Sequence, residues 1–462
     1  MKRSSNINGP DDDINRLISA DRSTLWHPFT QMRDWAATEP LIIDEARGCY
    51  LRDVRGRWYL DGVSSLWVNI HGHRRPELDD AIREQLTRVA HTTMLGLGNV
   101  PAIRLGKRLI GIMEHSFGPE RLTRVFYSDN GSTAVEVALK MAFQYWQHKG
   151  QPGRTAFMAL DQAYHGDTVG AMSVGGIDTF HAAFGPLLFK AHRAPSPSCY
   201  HCNNKEGCSD EKLNCLAAAE EILKAHSHEI AAVIIEPLVQ AAGGMLVARP
   251  GYLAGLRARC DRYGVLLIAD EVATGFGRTG RMFACEHEGV APDIICLSKG
   301  LTGGYMPLAA TIASEEIYSA FLGEFAELKT FFHGHSYTGN PLGCACALAA
   351  MDVFDRDRTI EAMQPKVALL EAWLKEVAAH PHVGDARNRG LMAGVELVRD
   401  TGEPYRWEER MGWRVADIAR EQGVLIRPLG NVVVIMPPLV ITEAELGRML
   451  GVLGDAIKSA TA

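Results

Sequence analysis

Four short stretches of the chain end in residues able to do chemistry. DIICLSKGLTGGYMP (293–307) carries an apolar run to Ser298 and Lys299, then a glycine-rich turn. GVLLIAD (264–270) ends in Asp270, with Glu271 next. TRVFYS (123–128) runs into Asp129-Asn130-Gly131-Ser132, where a helix opens, with Thr133 and Glu136 at capping-box spacing. TAFMALDQAYHGDT (155–168) adds Tyr164 and His165 behind a fourth run. Each has an ordinary reading on its own. Lys299 can begin a solvated loop, Asp270 can cap the next segment, Tyr164 can pack in a core, and many helices begin with a Gly-Ser turn. Together they are less ordinary. A lysine amine, a buried carboxylate and the N–H groups of a helix N-terminus meet the three needs of pyridoxal phosphate: an amine for its aldehyde, an anion for its ring nitrogen and donors for its phosphate.

The elements that must position these residues follow from the same runs. With AAVIIEPL (231–238), they read as short, buried strands, and amphipathic stretches such as TAVEVALKMAFQYW (133–146) lie between several of them. This alternation predicts an α/β fold with a mainly parallel sheet flanked by helices. In such sheets ligands bind beyond the carboxyl ends of the strands, where the four stretches end. The rhythm is missing before about residue 75 and after about 340. Strand-like pieces there (PLIIDEARGCYLRDVRGRWYLDG; VLIRPLGNVVVIMPP) sit among helices. We expect residues 1–75 and 341–462 to build a smaller α+β domain, the first with a frayed polar arm (MKRSSNINGPDDDINRL), and residues 76–340 the large cofactor-binding domain.

The 462 residues exceed one ordinary core. A net charge of −7 without a basic cluster argues against nucleic acid. No run reaches the length of a membrane span, and the N-terminus lacks the apolar core of a secretory signal. Six of the ten cysteines stand singly or on apolar segments, as buried thiols of a cytoplasmic protein would. Cys199, Cys202, Cys208 and Cys215 lie in a polar insertion, CYHCNNKEGCSDEKLNC. With only one C-x-x-C pair, free thiols and no metal are the expectation, and a zinc site is the alternative.

DEVATGFGRTG (270–280), CLSKGLTGGYMP (296–307), YHGDT (164–168) and HSYTGNP (335–341) resemble the signature segments of the class III aminotransferases. LWHPFTQM (25–32), DGVSSLWVNIHGH (61–73) and IRPLGNVVVIMPP (426–438) resemble the biotin-pathway branch of that family. The resemblance implies the fold type I architecture, with a seven-stranded sheet and pyridoxal 5′-phosphate. It implies ping-pong transamination of 8-amino-7-oxononanoate to 7,8-diaminononanoate, with lysine or S-adenosylmethionine as amino donor, in a homodimer with shared sites. It makes Lys299 the Schiff-base lysine and later the base, and Asp270 the partner of the ring nitrogen. Val272 lies on one ring face and Tyr164 near the other, with His165 beside it and Glu236 at the ring edge. Gly131 and Ser132 hold the phosphate, completed by His335 and Ser336 of the other subunit. Gly334 lies beside the substrate, and Arg427 takes its carboxylate. Arg278 and Asp167 surround the pocket, where a structural ion pair or turn serves equally. The family's usual Tyr and Trp pair are replaced by Phe29 and by Leu66-Trp67, thinning the pocket wall.

Other readings compete. An ω-amino acid aminotransferase of the same family, acting on ornithine or 4-aminobutyrate, is opposed by the LWHPFTQM and SSLWVNIHGH segments. A nucleotide-binding dehydrogenase would need G-x-G-x-x-G after its first strand, and no such run is there. A zinc-binding module on residues 199–215 would explain none of the strand ends.

Overall fold

The computed structural model describes residues 10–202, 208–209 and 212–462. The start of the expected polar arm, residues 1–9, lies outside the described residues. The rest of that arm is not frayed: Pro10–Thr24 is a helix, with proline at its first position, where no intrahelical N–H is required. Asp21 docks it, accepting from Trp35 Nε1 at 2.7 Å and pairing with His27 Nε2 at 3.0 Å. The following strands β1 (Ile43–Arg47), β2 (Tyr50–Asp53) and β3 (Trp58–Asp61) form an antiparallel meander.

The central sheet begins with β4 (Arg124–Ser128), β5 (Ala156–Leu160), β6 (His192–Ala194) and β7 (Ile230–Ile235). A two-stranded hairpin, β8 (Val239–Gln240) and β9 (Leu246–Val247), interrupts it in sequence. It continues with β10 (Leu266–Asp270), β11 (Ile294–Leu297) and β12 (Ala309–Ala313). The order is β4-β12-β11-β10-β7-β5-β6. Only β12 runs antiparallel, to both of its neighbours. Because β4 lies beyond β12, it is again parallel to β11, and its carboxyl end stays on the same edge as the others.

Both faces of this sheet are covered, which is why its strands read as continuous apolar runs. Ile234, Ile268 and Ile294 pack with Ala134, Val135 and Ala138 of the helix Gly131–His148. Val233, Leu267 and Ile295 pack with Leu253 and Leu256 of the helix Tyr252–Tyr263 on the other face. Near the C-terminus, β13 (Val383–Arg389), β14 (Met392–Leu397) and β16 (Val432–Ile435) form a three-stranded antiparallel sheet. Strand β15 (Val424–Leu425) instead pairs in parallel with β3, so the two ends of the chain share a sheet. Gly62 sits at this junction: it donates to Leu425 O at 2.8 Å, and a Cβ there would meet that oxygen at 2.7 Å.

Candidate active site

A cavity of about 520 Å³ opens at the carboxyl edge of the central sheet, within the usual range for a small-molecule site. It is lined by Gly131, Ser132, Tyr164, His165, Glu236, Asp270, Val272 and Lys299, together with Leu66 and Trp67. Asp270 is the last residue of β10, Glu236 follows β7, and Lys299 stands two residues beyond β11. One sheet edge therefore gathers residues separated by up to 168 positions in the chain.

The buried carboxylate of Asp270 is held from two sides. Its Oδ2 lies 2.7 Å from His165 Nδ1, and its Oδ1 accepts from Val272 N at 3.1 Å. The other ring nitrogen of His165, Nε2, is buried without a hydrogen-bond partner among the described residues. Neighbouring Glu271 does a different job. It accepts from Ala284 N, Cys285 N and Thr274 Oγ1 beneath the site, and burial pushes its pKa up to about 7. Glu236, likewise raised to about 7 by burial, accepts from Tyr164 N at 2.9 Å and Ala241 N at 3.0 Å, fixing the loop that carries Tyr164. The phenol of Tyr164 donates to Asp167 Oδ2 at 2.8 Å, and burial holds its pKa far above the ordinary value. Burial lowers the pKa of Lys299, against the opposing pull of Asp270 and Glu236. A lysine so placed is closer to the neutral amine that nucleophilic and basic roles need.

The helix behind Gly131 begins one turn earlier than the Thr133–Glu136 spacing suggests. Asn130 is the N-cap: its Oδ1 accepts from Thr133 N, while Thr133 Oγ1 accepts from Asn130 N, both at 3.0 Å. Glu136 is drawn away to accept from Gly170 N at 2.7 Å. This shift puts Gly131 and Ser132 in the first helical turn, whose N–H groups have no intrahelical partner. Gly131 has no room for a side chain, since a Cβ would meet Val272 Cγ1 at 2.6 Å.

The wall opposite is a turn no sequence pattern announced. Ser64, Ser65, Leu66 and Trp67 all have left-handed backbone, with φ of 51°, 49°, 71° and 68°. Such a run costs roughly 1–2 kcal/mol per residue and persists only where the surroundings over-determine it. Asp61 supplies much of that restraint, accepting from Ser65 N and Ser65 Oγ at 3.0 Å each and pairing with His73. Ser64 Oγ donates to Met436 O at 2.6 Å. The turn sets the buried Trp67 ring 5.0 Å from Lys299 Nζ. We expect Asp61→Ala to lower stability by about 1.5–3 kcal/mol, the usual loss for hydrogen bonds to a charged group. A denaturant midpoint equal to that of the parent protein would show that the turn stands without it.

The remaining expected residues lie outside the cavity lining. The guanidinium of Arg427 is partly buried, which lowers its pKa, and Nη2 donates to Phe29 O at 3.3 Å. Phe29, 56% exposed, packs edge-on to Phe180 at 5.3 Å, which in turn meets Tyr164 at 6.2 Å. Phe180, which no motif had marked, thus links Phe29 to the cavity. Gly334 and Ser336 are exposed, and His335 Nδ1 lies 2.7 Å from Asp129 Oδ2 at the cavity mouth. Arg278 is a structural brace, buried and donating to Pro437 O at 2.6 Å and Asn69 O at 2.7 Å. Cys199, Cys202 and Cys208 are partly exposed and Cys215 is buried. Among the described residues, no three of these thiols converge within ligand reach.

The family model for class-III aminotransferases matches residues 32–457, and the chain belongs to that family. It is 55% identical over 453 residues to the adenosylmethionine-8-amino-7-oxononanoate aminotransferase of Nitratidesulfovibrio vulgaris, covering 96% of this chain and 82% of that one. The crystal structure of the enzyme of that name from Methanocaldococcus jannaschii superimposes with a TM-score of 0.91 at 46% identity, covering 97% of this chain and all of the other. A PLP-bound amine transaminase from an uncultivated Pseudomonas species gives a TM-score of 0.87 at 39% identity, covering 95% and 98% of the two chains. The architecture is that of the fold type I transferases. Pyridoxal phosphate is the cofactor of this aminotransferase class, and the cavity suits it: a lysine amine, a buried carboxylate and a glycine-edged helix start face one space.

Proposed function

We propose that this aminotransferase converts 8-amino-7-oxononanoate to 7,8-diaminononanoate, the transamination step of biotin synthesis. The observation that carries the reading is the convergence of Lys299, Asp270 and the Gly131–Ser132 helix start on one cavity. Arg427 stands beyond it with no carboxylate partner among the described residues. The names borne by the relatives supply the substrate class. When bound, pyridoxal phosphate supplies an aldehyde for amines and a ring that accepts electron density.

The chain supplies the rest. Gly131 N–H and Ser132 hold the phosphate at the positive end of their helix. Asp270, braced by His165, would hold the ring nitrogen and favour its protonated form. Val272 and Tyr164, on the cavity wall, would pack against the cofactor ring, and Glu236 acts by holding the Tyr164 backbone. Lys299 Nζ would anchor the cofactor, and its amine, the basic group at the end of β11, would serve to take and return a proton beside it. The Arg427 guanidinium receives the far carboxylate of the substrate. The test is formation of 7,8-diaminononanoate from the keto substrate and an amino donor by the purified holoenzyme. Turnover of ornithine or 4-aminobutyrate in its place would assign the protein to another branch of the family.

Lysine is our choice of donor. A sulfonium cation gains about 0.5–2 kcal/mol from each desolvated aromatic face, and here Leu66 offers none while Phe29 lacks the phenol hydroxyl. A slim ammonium chain needs less of that wall, although the relatives' names favour S-adenosylmethionine. Mixing the holoenzyme with each donor alone should convert the cofactor absorbance to that of its amine form with lysine. Rapid conversion by S-adenosylmethionine, and none by millimolar lysine, would reverse the choice.

The homodimer is also part of this reading. Leu95, Leu97, Val100 and Ile103 are 59–71% exposed; the tilted rings of His91 and Tyr337 lie 4.7 Å apart and Leu95 borders Gly334, so this apolar patch adjoins the His335–Ser336 segment. We expect sedimentation at twice the chain mass. A monomer with full activity would remove His335 and Ser336 from the phosphate site.

A further inference from the structure

The opposite edge of the central sheet holds a second cluster of chemistry-bearing side chains, unrelated to the cavity. His192 opens the edge strand β6, His226 ends the helix Asn214–His226, and Glu229 immediately precedes β7. Glu229 Oε1 lies 2.7 Å from His226 Nδ1 and 3.2 Å from His192 Nε2, and the two imidazole centroids are 4.3 Å apart. One ligand atom from each of the three falls within 4.8 Å of the other two, the only such trio among the described residues.

We propose that His192, His226 and Glu229 form a binding site for one divalent transition-metal ion of the zinc type. Two imidazoles with one carboxylate favour zinc, cobalt or nickel over magnesium or calcium, which prefer all-oxygen sets. Three protein ligands leave a fourth tetrahedral position for water. Ligand atoms at 2.0–2.1 Å from a tetrahedral ion stand about 3.3 Å apart, close to the His192–Glu229 separation. The His226–Glu229 pair has to open by only about half an ångström to match it.

The three backbones are already fixed, so the ion need not organise the site. His192 pairs with Met158 in the β5–β6 ladder. Glu229 N donates to His226 O at 2.9 Å, closing the turn, and Glu229 O accepts from Ala156 N at 2.9 Å. All three side chains are partly exposed, so an ion can enter from solvent. Strand β7 separates Glu229 from Glu236 of the cavity by seven residues, about 23 Å at a strand's rise of 3.3 Å. The ion is therefore a clip joining the edge strand, the helix and β7, with no part in the reaction. It stabilises the fold by an amount that grows with the logarithm of its affinity and concentration.

The experiment is a zinc titration of chelator-treated, dialysed holoenzyme by calorimetry, with thermal unfolding measured alongside. We expect one ion per chain and a rise in unfolding temperature with zinc. His192→Ala and His226→Ala should each bind roughly 100-fold more weakly, at least the loss seen when only outer-shell support is removed. Their cofactor spectrum and transamination rate should be unchanged. Glu229→Gln, which preserves shape and one hydrogen-bond acceptor, should also lose affinity, separating a metal ligand from a mere hydrogen-bond partner. Cys199→Ser/Cys202→Ser should bind as the parent does, and a cobalt-loaded protein should show no sulfur-to-cobalt charge-transfer band. Absence of saturable binding would overturn the proposal. So would binding that survives both histidine substitutions, or binding lost in the cysteine variant.

Discussion

Lys299→Ala should lose transamination by about 10⁴-fold or more, at or beyond the upper end of what removing a general base costs, because one substitution removes both the anchor and the base. Alanine adds no backbone strain of its own, since position 299 already has a left-handed φ of 47° that any L-residue would share. The Gly131–Ser132 helix start, Asp270 and the Tyr164 loop do not depend on the amine for their hydrogen bonds. The variant should therefore fold and retain some cofactor through its phosphate, while losing the yellow absorbance of the lysine-bound form. In the parent protein, borohydride should fix the cofactor onto the peptide that contains Lys299. Recovery of the label on another lysine would sink the assignment, whatever the activity of the variant.

Arg427→Ala should raise the KM for the keto substrate by roughly 30- to 5,000-fold, the equivalent of 2–5 kcal/mol. Burial already disfavours this cation, and its hydrogen bond to Phe29 O, at 3.3 Å, is long and uses only Nη2. A carboxylate docking on the remaining donors would supply the countercharge the site lacks, and a bidentate fork suits that shape. Among the described residues no hydrogen bond joins Arg427 to Lys299 or Asp270, so the spectrum of bound cofactor should stay that of the parent. An unchanged KM with normal turnover would remove Arg427 from substrate binding. A changed spectrum would mean instead that the substitution had disturbed the cofactor's surroundings.

The class of fold and the centre of the site were legible in the chain for a local reason. Strands covered on both faces must be apolar along their length, so a lysine, an aspartate or a Gly-Ser turn where such a run stops stands out. Parallel packing then brings those ends to one edge, as it does for Gly131, Tyr164, Glu236, Asp270 and Lys299. The helix at Pro10–Thr24 was not legible, because its polar composition hides a docking made by polar side chains, Asp21 reaching His27 and Trp35 and Arg22 reaching Thr38 O.

Other features belonged to the tertiary structure alone. Strand β12, Ala309–Ala313, enters between β4 and β11, an order set by long-range pairing that no local pattern encodes. Asp270 and Glu271 are adjacent acids, yet one faces the cavity and the other holds the backbone beneath it, a difference fixed by which way each side chain leaves the end of β10. The capping box moved from Thr133–Glu136 to Asn130–Thr133 because Gly170, 34 residues further on, offered Glu136 a better partner. The left-handed turn at 64–67 follows no propensity of Ser, Leu or Trp; Asp61 and a carbonyl at Met436 hold it there. His192, His226 and Glu229 meet only because an edge strand, a helix end and a strand start are packed together. Composition and period along a chain report what each segment must bury, while contacts between distant segments depend on how those buried faces are finally matched.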